Sequence, residues 1–320
     1  MANLPHGGLA VNQEYSEEEF RAILSKWESI RTMIEPELNS IVSRLEMAGL
    51  EGLASYIVKG GKMFRGFVTM LFAEAAGGNL DRAKDAAIAV ELVQGASLAL
   101  DDIIDKDAER RGGPSAWVLY GIGKSAMVSL LLVPTALKLV EQYGPLALSY
   151  SITAWESMVR GEIIDAYSSL NLEPVEYLQL ASLKTGSLFS LASTLGVIAA
   201  DHEEYAERAW NYGNIVGIAY QLADDITDFA NYARGAKDKL DPSERLFLRW
   251  AEAELKARGE DEVIEKGVEY LNDVLKRSIS SLSFLPPGPA TKMIAELPWF
   301  MASKMLESAN LSLSKFDQRP

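Results

Sequence analysis

One periodicity governs this chain almost from end to end. Apolar residues recur at three-and-four spacing, as in helices with one buried face, and no stretch alternates as a half-buried strand would. The first predicted helix starts at Ser16, a capping residue followed by acids, and Pro36 is expected to kink or divide it. Gly52 to Ala76 follows, interrupted at Gly60-Gly61, and then Asp81 to Asp105. After a loop over Lys106–Pro114 come Ile122 to Tyr143 and Leu146 to Leu170. Next are Val175 to Ala200, with Pro174 in its first turn, and Glu203 to Tyr232, capped by Asp201. A loop over Ala233–Pro242 precedes Ser243 to Arg258, Glu260 to Phe284 and Pro289 to Leu313. The expected fold class is all-α: about ten helices packed as a single large helical bundle, one domain over 1–320 with a loose leader at 1–15.

Composition removes several function classes. Cysteine is absent, so disulfides, zinc-thiolate sites and thiol nucleophiles are excluded, and the two histidines offer little to a histidine-based triad. A net charge of −14 argues against nucleic acid as a partner. The most apolar run, Ala126 to Leu139, is broken by Pro134 and too short for a membrane span. No secretory signal is read at the N-terminus, and a cytoplasmic location is expected.

Against that background two acidic motifs stand out. Asp101, Asp102 and Asp105 end an apolar segment, and Asp224, Asp225 and Asp228 repeat the same D-D-x-x-D spacing. In a helix, positions i and i+4 share a face, so Asp101 pairs with Asp105 and Asp224 with Asp228. Like charges at that spacing repel, and the C-terminal end of a helix also disfavours anions. A solvated acidic helix end would explain one such motif. Two, each in apolar sequence, call for a bound dication. Carboxylates without histidine or cysteine suit Mg2+, which keeps waters and shares a substrate's phosphate oxygens.

A phosphorylated substrate also needs cations and donors. Arg110 and Arg111 stand in a glycine-rich loop, RRGGP, and arginine forks suit diphosphate oxygens. Lys62 and Arg65 follow Gly60-Gly61, Lys184-Thr185-Gly186 interrupts an apolar run, and Gln221 precedes Asp224 by three.

Taken in order, GGKxxR, Gln94, DDxxD, RRG, GEIID at Gly161–Asp165, KTG and QxxDDxxD resemble the trans-isoprenyl diphosphate synthases. These are the head-to-tail prenyl elongating enzymes, and the likeness spans about Gly60 to Lys239. It implies a helical bundle around a central active-site cavity and a homodimer. It implies condensation of isopentenyl diphosphate with an allylic diphosphate by ionisation, condensation and elimination. Asp101, Asp105 and Asp224 would bind magnesium, supported by Asp102, Asp225 and Asp228. The allylic diphosphate would also meet Arg110, Lys184, Thr185, Gln221 and a lysine after the second motif, Lys237 or Lys239. Isopentenyl diphosphate would be held by Lys62, Arg65, Gln94 and Arg111. Asp101, Asp105, Lys184 and Asp224 would carry the catalysis.

The chain departs from the family pattern in places. Met63 and Gly66 replace a basic residue and a proline, Ser129-Leu130 stands near a missing Gly-Asp pair, and the segment after Asp228 is shortened. For product length, Ala96 and Ser97 lie one turn before Asp101 with Val93 beyond, and small residues there leave room for a growing chain. In the family this resembles enzymes making geranylgeranyl or geranylfarnesyl diphosphate. The alternatives are a non-catalytic partner subunit and a terpene cyclase on the same fold.

Overall fold

The computed structural model describes residues 17–47, 49–168 and 171–313. Ser16, the expected first cap, and the leader at 1–15 lie outside them. Helix α1 spans Glu17–Ser43 and continues through Pro36 without division. The glycine pair separates α2 (Leu53–Val58) from α3 (Phe64–Ala75), and α4 runs Leu80–Asp105. Asn79 caps α4 by accepting the Asp81 amide at 2.8 Å, in place of a start at Asp81 itself.

The loop after α4 is not wholly irregular. β1 (Glu109–Arg110) and β2 (Gly113–Pro114) pair antiparallel, with Glu109 opposite Pro114. Arg111 and Gly112, at φ 56° and 76°, make the turn between them. So short a ladder carries no alternation for a sequence pattern to reveal. α5 (Ala116–Tyr120) and α6 (Ile122–Val140) follow. Pro134 sits inside α6 without ending it, which corrects its reading as a break. Ile122–Tyr143 is long and apolar enough to cross a membrane by length and composition, and 28% of its most apolar 18 residues are buried.

α7 spans Pro145–Ser168. The predicted segment from Val175 is one helical path with three textures: α8 (Tyr177–Ala181), a wide π turn at Ser182–Gly186, and α9 (Ser187–Ala199). Asp201 does not cap the next helix. It adopts φ 64° and pairs with Arg82, while α10 (Ala206–Ala233) begins after a 3-10 turn at Glu203–Tyr205. α11 (Pro242–Glu254), α12 (Glu260–Ser280) and α13 (Pro289–Ser308) complete the bundle.

Among the described residues, two apolar clusters form the core. The larger gathers α1 to α7, α9, the first half of α10 and part of α13, including Phe67, Phe72, Leu92 and Phe189. The smaller joins α8, the second half of α10, α11, α12 and the end of α13 around Tyr177, Phe229, Phe247 and Trp250. α4 and α10 both pack on α9, and their inner faces border one cavity. Close approach there depends on glycines. A Cβ on Gly161 would stand 2.5 Å from the Lys184 amide nitrogen, and one on Gly217 would stand 2.4 Å from Gly186 Cα. α7, the π turn and α10 therefore touch backbone to backbone.

Candidate active site

A cavity of about 610 Å³ opens between the C-terminal half of α4, the start of α3, α7, the π turn and α10. Lys62, Arg65, Gln94, Ser97, Asp101, Arg110, Arg111, Lys184, Thr185, Gln221, Asp224 and Asp225 all border it. Residues far apart in the chain thus converge on one cavity, while Asp102, Asp105, Asp228 and Lys237 do not border it.

The two motifs use their aspartates differently. On α4, Asp101 faces the cavity, and Asp105 is exposed one turn on. Asp102 is 3% exposed and accepts from Arg110 Nε at 2.7 Å and from the same guanidinium's Nη2. On α10, Asp224 faces the cavity and Asp228 is half-buried, while Asp225 is 3% exposed and accepts from the Tyr177 hydroxyl and from Gln221 Nε2 at 3.2 Å. The middle aspartates are thus committed to protein partners. They stand about 100° round the helix from Asp101 and Asp224, the first aspartate of each motif.

Asp101 and Asp105 gain a partner the motif alone did not assign. Glu162 of α7 brings a carboxylate oxygen to them, and one oxygen from each of the three residues lies within 4.8 Å of the others. Burial pushes the Glu162 carboxyl up to about 8, with Lys184 opposing and Asp101 adding to the shift. Lost solvation, then Asp101, raises Asp105 to about 6. Asp224 is raised to about 6 in the same way, with Asp228 as its repelling neighbour. Carboxylates crowded enough to repel, with oxygen donors only, fit a hard divalent cation.

Cations stand among these acids. Lys184 Nζ lies 2.5 Å from Asp165, 3.3 Å from Glu162 and 3.3 Å from Asp101; burial works against its charge, and the carboxylates, Asp101 foremost, outweigh it and keep the ammonium charged. Thr185 donates its hydroxyl to Gln221 Oε1 at 2.6 Å, tying the π turn to α10. Of the two lysines left open after the second motif, Lys237 reaches Asp228 at 2.9 Å, whereas Lys239 is exposed on the loop.

The other end of the cavity is built on α2, α3 and the hairpin. Arg111 donates to Lys59 O at 2.6 Å and Ile57 O at 3.3 Å, passing beside Gly60 and Gly61. Lys62 is exposed into the cavity, and its carbonyl accepts from Trp27 Nε1 at 2.7 Å. The Arg65 guanidinium stacks over Phe189, 4.5 Å from the ring centroid. Arg65 Nε and Gln94 Oε1 are buried without a protein partner. Buried polar atoms at a cavity wall are ordinarily met by water or ligand.

Two departures from the family pattern acquire a physical reason. Met63 takes φ 52° and is buried, so its side chain packs inward where a basic residue was expected. Gly66 donates its amide to buried Glu91 Oε1 at 2.7 Å, a bond that proline cannot make. Burial raises Glu91, while Arg65 and Arg111 lower it. No spacing rule pointed to Glu91 or Tyr177, because their partners are distant in sequence.

One expectation about the product end is corrected. Ala96 is fully buried and lines neither this cavity nor the next. Five positions on a helix is about 140° from Asp101, whereas the four positions to Ser97 are only about 40°. A second, apolar cavity of about 190 Å³ lies deeper, walled by Ala89, Val93, Ala136, Trp155 and Leu191 among others. Ser97 to Val93, Met158 to Trp155 and Leu188 to Leu191 each step down about one turn from the first cavity to the second.

This geometry coincides with known proteins. The Polyprenyl synthetase family profile matches residues 48–240. The chain belongs to the polyprenyl synthetase family. Hexaprenyl pyrophosphate synthase of Saccharolobus solfataricus is 34% identical over 91% of this chain and 99% of its own length. Geranylfarnesyl diphosphate synthase of Methanosarcina mazei is 27% identical over 89% of this chain and 96% of its own. The crystal structure of geranylgeranyl pyrophosphate synthetase from Pyrococcus horikoshii superposes with a TM-score of 0.73 at 26% identity, covering 90% of this chain and 99% of that one. This polyprenyl synthetase is therefore an all-α prenyltransferase of isoprenoid biosynthesis. Its carboxylates offer a possible metal site at Asp101, Asp105 and Glu162.

Proposed function

We propose that this polyprenyl synthetase elongates a short allylic diphosphate with isopentenyl diphosphate, using magnesium, and releases geranylgeranyl diphosphate or a longer trans product. The observation that carries it is the single cavity shared by Asp101, Lys184 and Asp224 at one side and Lys62, Arg65, Gln94 and Arg111 at the other. Magnesium held by Asp101, Asp105, Glu162 and Asp224 would supply positive charge to a departing diphosphate.

The chain's own groups do the rest. Lys184, Thr185, Gln221 and Lys237 orient the allylic diphosphate and balance its charge as the C–O bond breaks. Lys62, Arg65, Gln94 and Arg111 bind isopentenyl diphosphate with its double bond toward the allylic carbon. Met158 and Leu188 present apolar surface where the carbocation forms, which keeps water away from it. Attack by the double bond and loss of a proton then give the longer allylic product. Asp102 and Asp225 support the reaction indirectly, one by holding Arg110 and the other by fixing Tyr177 against α10.

The deeper apolar cavity would receive the growing tail, so Val93 and Trp155 limit its length. The relatives named for hexaprenyl and geranylfarnesyl products favour chains beyond farnesyl. We also propose a homodimer formed through α6 and α7, which carry Met127 at 63%, Leu130 at 54% and Ile152 at 55% exposure. The 1–320 chain acts as one catalytic unit in this reading.

The test is mass analysis of products from isopentenyl diphosphate, each short allylic primer and magnesium. Elongated products that require both substrates support the reading. Absence of any product with every primer overturns it, and a product formed without isopentenyl diphosphate points to a cyclase.

A further inference from the structure

The segment after the second motif lacks the family's usual arrangement, yet the structure builds something in its place. The chain leaves α10 at Ala233, and the amides of Ala236 and Lys237 both return to Asn231 O, at 2.8 and 3.2 Å. This brings Lys237 back over the last turns of α10. Its ammonium sits among Asp228 at 2.9 Å, Asp241 at 3.4 Å and Glu244, its nearest partner.

Glu244 is unusual among these acids. It is 5% exposed, lies in the first turn of α11 and borders the active-site cavity. Its other oxygen accepts the Asp241 amide at 2.9 Å, closing a capping box with Asp241. The carboxylate is therefore fixed by the helix start itself. Asp228, which Glu244 also meets through a side-chain hydrogen bond, lacks a backbone anchor of this kind and is 37% exposed at its side chain.

We propose that Glu244 is a positioning residue: through its fixed carboxylate it holds the Lys237 ammonium at the diphosphate end of the cavity. A single lysine steered by a helix cap then serves the diphosphate end in this shortened segment. This rests on the elongase reading above.

Glu244→Gln tests it with little risk to folding, because glutamine also serves at this capping-box position. The probe is inorganic pyrophosphate with magnesium, titrated calorimetrically into the full chain, with steady-state kinetics alongside. The expected result is pyrophosphate binding about tenfold weaker, corresponding to about 1.4 kcal/mol. KM for the allylic substrate rises, KM for isopentenyl diphosphate stays constant and the melting temperature is unchanged. In a Lys237→Met background, Glu244→Gln adds less than about twofold, because the two act as one unit.

The inference is overturned if Glu244→Gln matches wild type, or if its effect is equally large without Lys237. It is also overturned if both substrates weaken together with a fall in melting temperature. Should Glu244→Gln fail to fold, Glu244→Asp in both backgrounds gives the same comparison. Elongation by the wild-type chain is measured first, so failure of the elongase reading is seen separately.

Discussion

At the scale of single residues, the site is a set of carboxylates whose charge is incompletely balanced without a cation. Glu162, at about 8, and Asp105 and Asp224, at about 6, all lie above the ordinary carboxylate range. A group with a raised folded pKa contributes stability that is full below its unfolded pKa and is lost as pH rises through the folded one. The metal-free protein should accordingly melt at a higher temperature near pH 5 than near pH 8. Added magnesium should recover most of the loss at pH 8, and Glu162→Gln should flatten the slope between them. Thermal melts with and without magnesium read this directly, and a slope untouched by Glu162→Gln would refute it.

The same scale shows what the chain disclosed beforehand. The outer aspartates, Lys184 and Arg110 were legible because helical spacing and neighbouring glycines announce them. The separate duties of Asp102 and Asp225 were not, since those depend on Arg110 and on Tyr177, which lies 48 positions away from Asp225. Glu244 left one faint trace, the D-x-x-E pattern of Asp241 to Glu244.

At the scale of elements, backbone contact between α7, the π turn and α10 fixes Lys184 against Asp165 and Asp101. Gly161→Ala would set a methyl carbon 2.5 Å from the Lys184 amide nitrogen. The expected cost is about 1–3 kcal/mol of stability, as for overpacking elsewhere. Activity should fall by more than the loss of folded protein explains, which denaturant titration and a rate assay on one sample can separate. Product length also belongs here. Val93→Phe fills the deeper cavity and should shorten the product, whereas Ala96→Phe should disturb packing without a matching change in length. Chromatography of the products distinguishes the two.

Helix order and most boundaries followed from the periodicity, since apolar spacing and Gly or Pro breaks are local signals. Pro36 lies inside α1 without dividing it, and Pro134 lies inside the helix that the periodicity predicted over Ile122–Tyr143. The π turn left no trace, because one extra residue in a turn changes neither composition nor average spacing.

At the scale of the molecule, exposed large apolar side chains concentrate on α5, α6 and α7, among them Leu119, Ile122, Met127, Leu130, Ile152 and Tyr167. α7 also carries Glu162 and Asp165 on another face, so an interface there would stiffen the helix that supports the metal site. Replacing Met127 and Leu130 together with glutamate should convert a dimer into monomer, measured by sedimentation. Activity should fall with it. A wild-type protein that sediments as a monomer at high concentration would remove this part of the reading.

The wide turn at Ser182–Gly186 divides one continuous rod into two segments with separate rotational settings. Upstream, Tyr177 points into the smaller core beneath Asp225. Downstream, Phe189 lies under Arg65, and Lys184 stands at the joint between them. A single-residue deletion there would let the rod close into an ordinary α-helix and turn one half by about 100° relative to the other. Either the lysine or the floor beneath the arginine would then face the wrong way. The length of this part of the chain is therefore locked, as firmly as the glycine at its end, where a Cβ would stand 2.4 Å from Asn214 Oδ1.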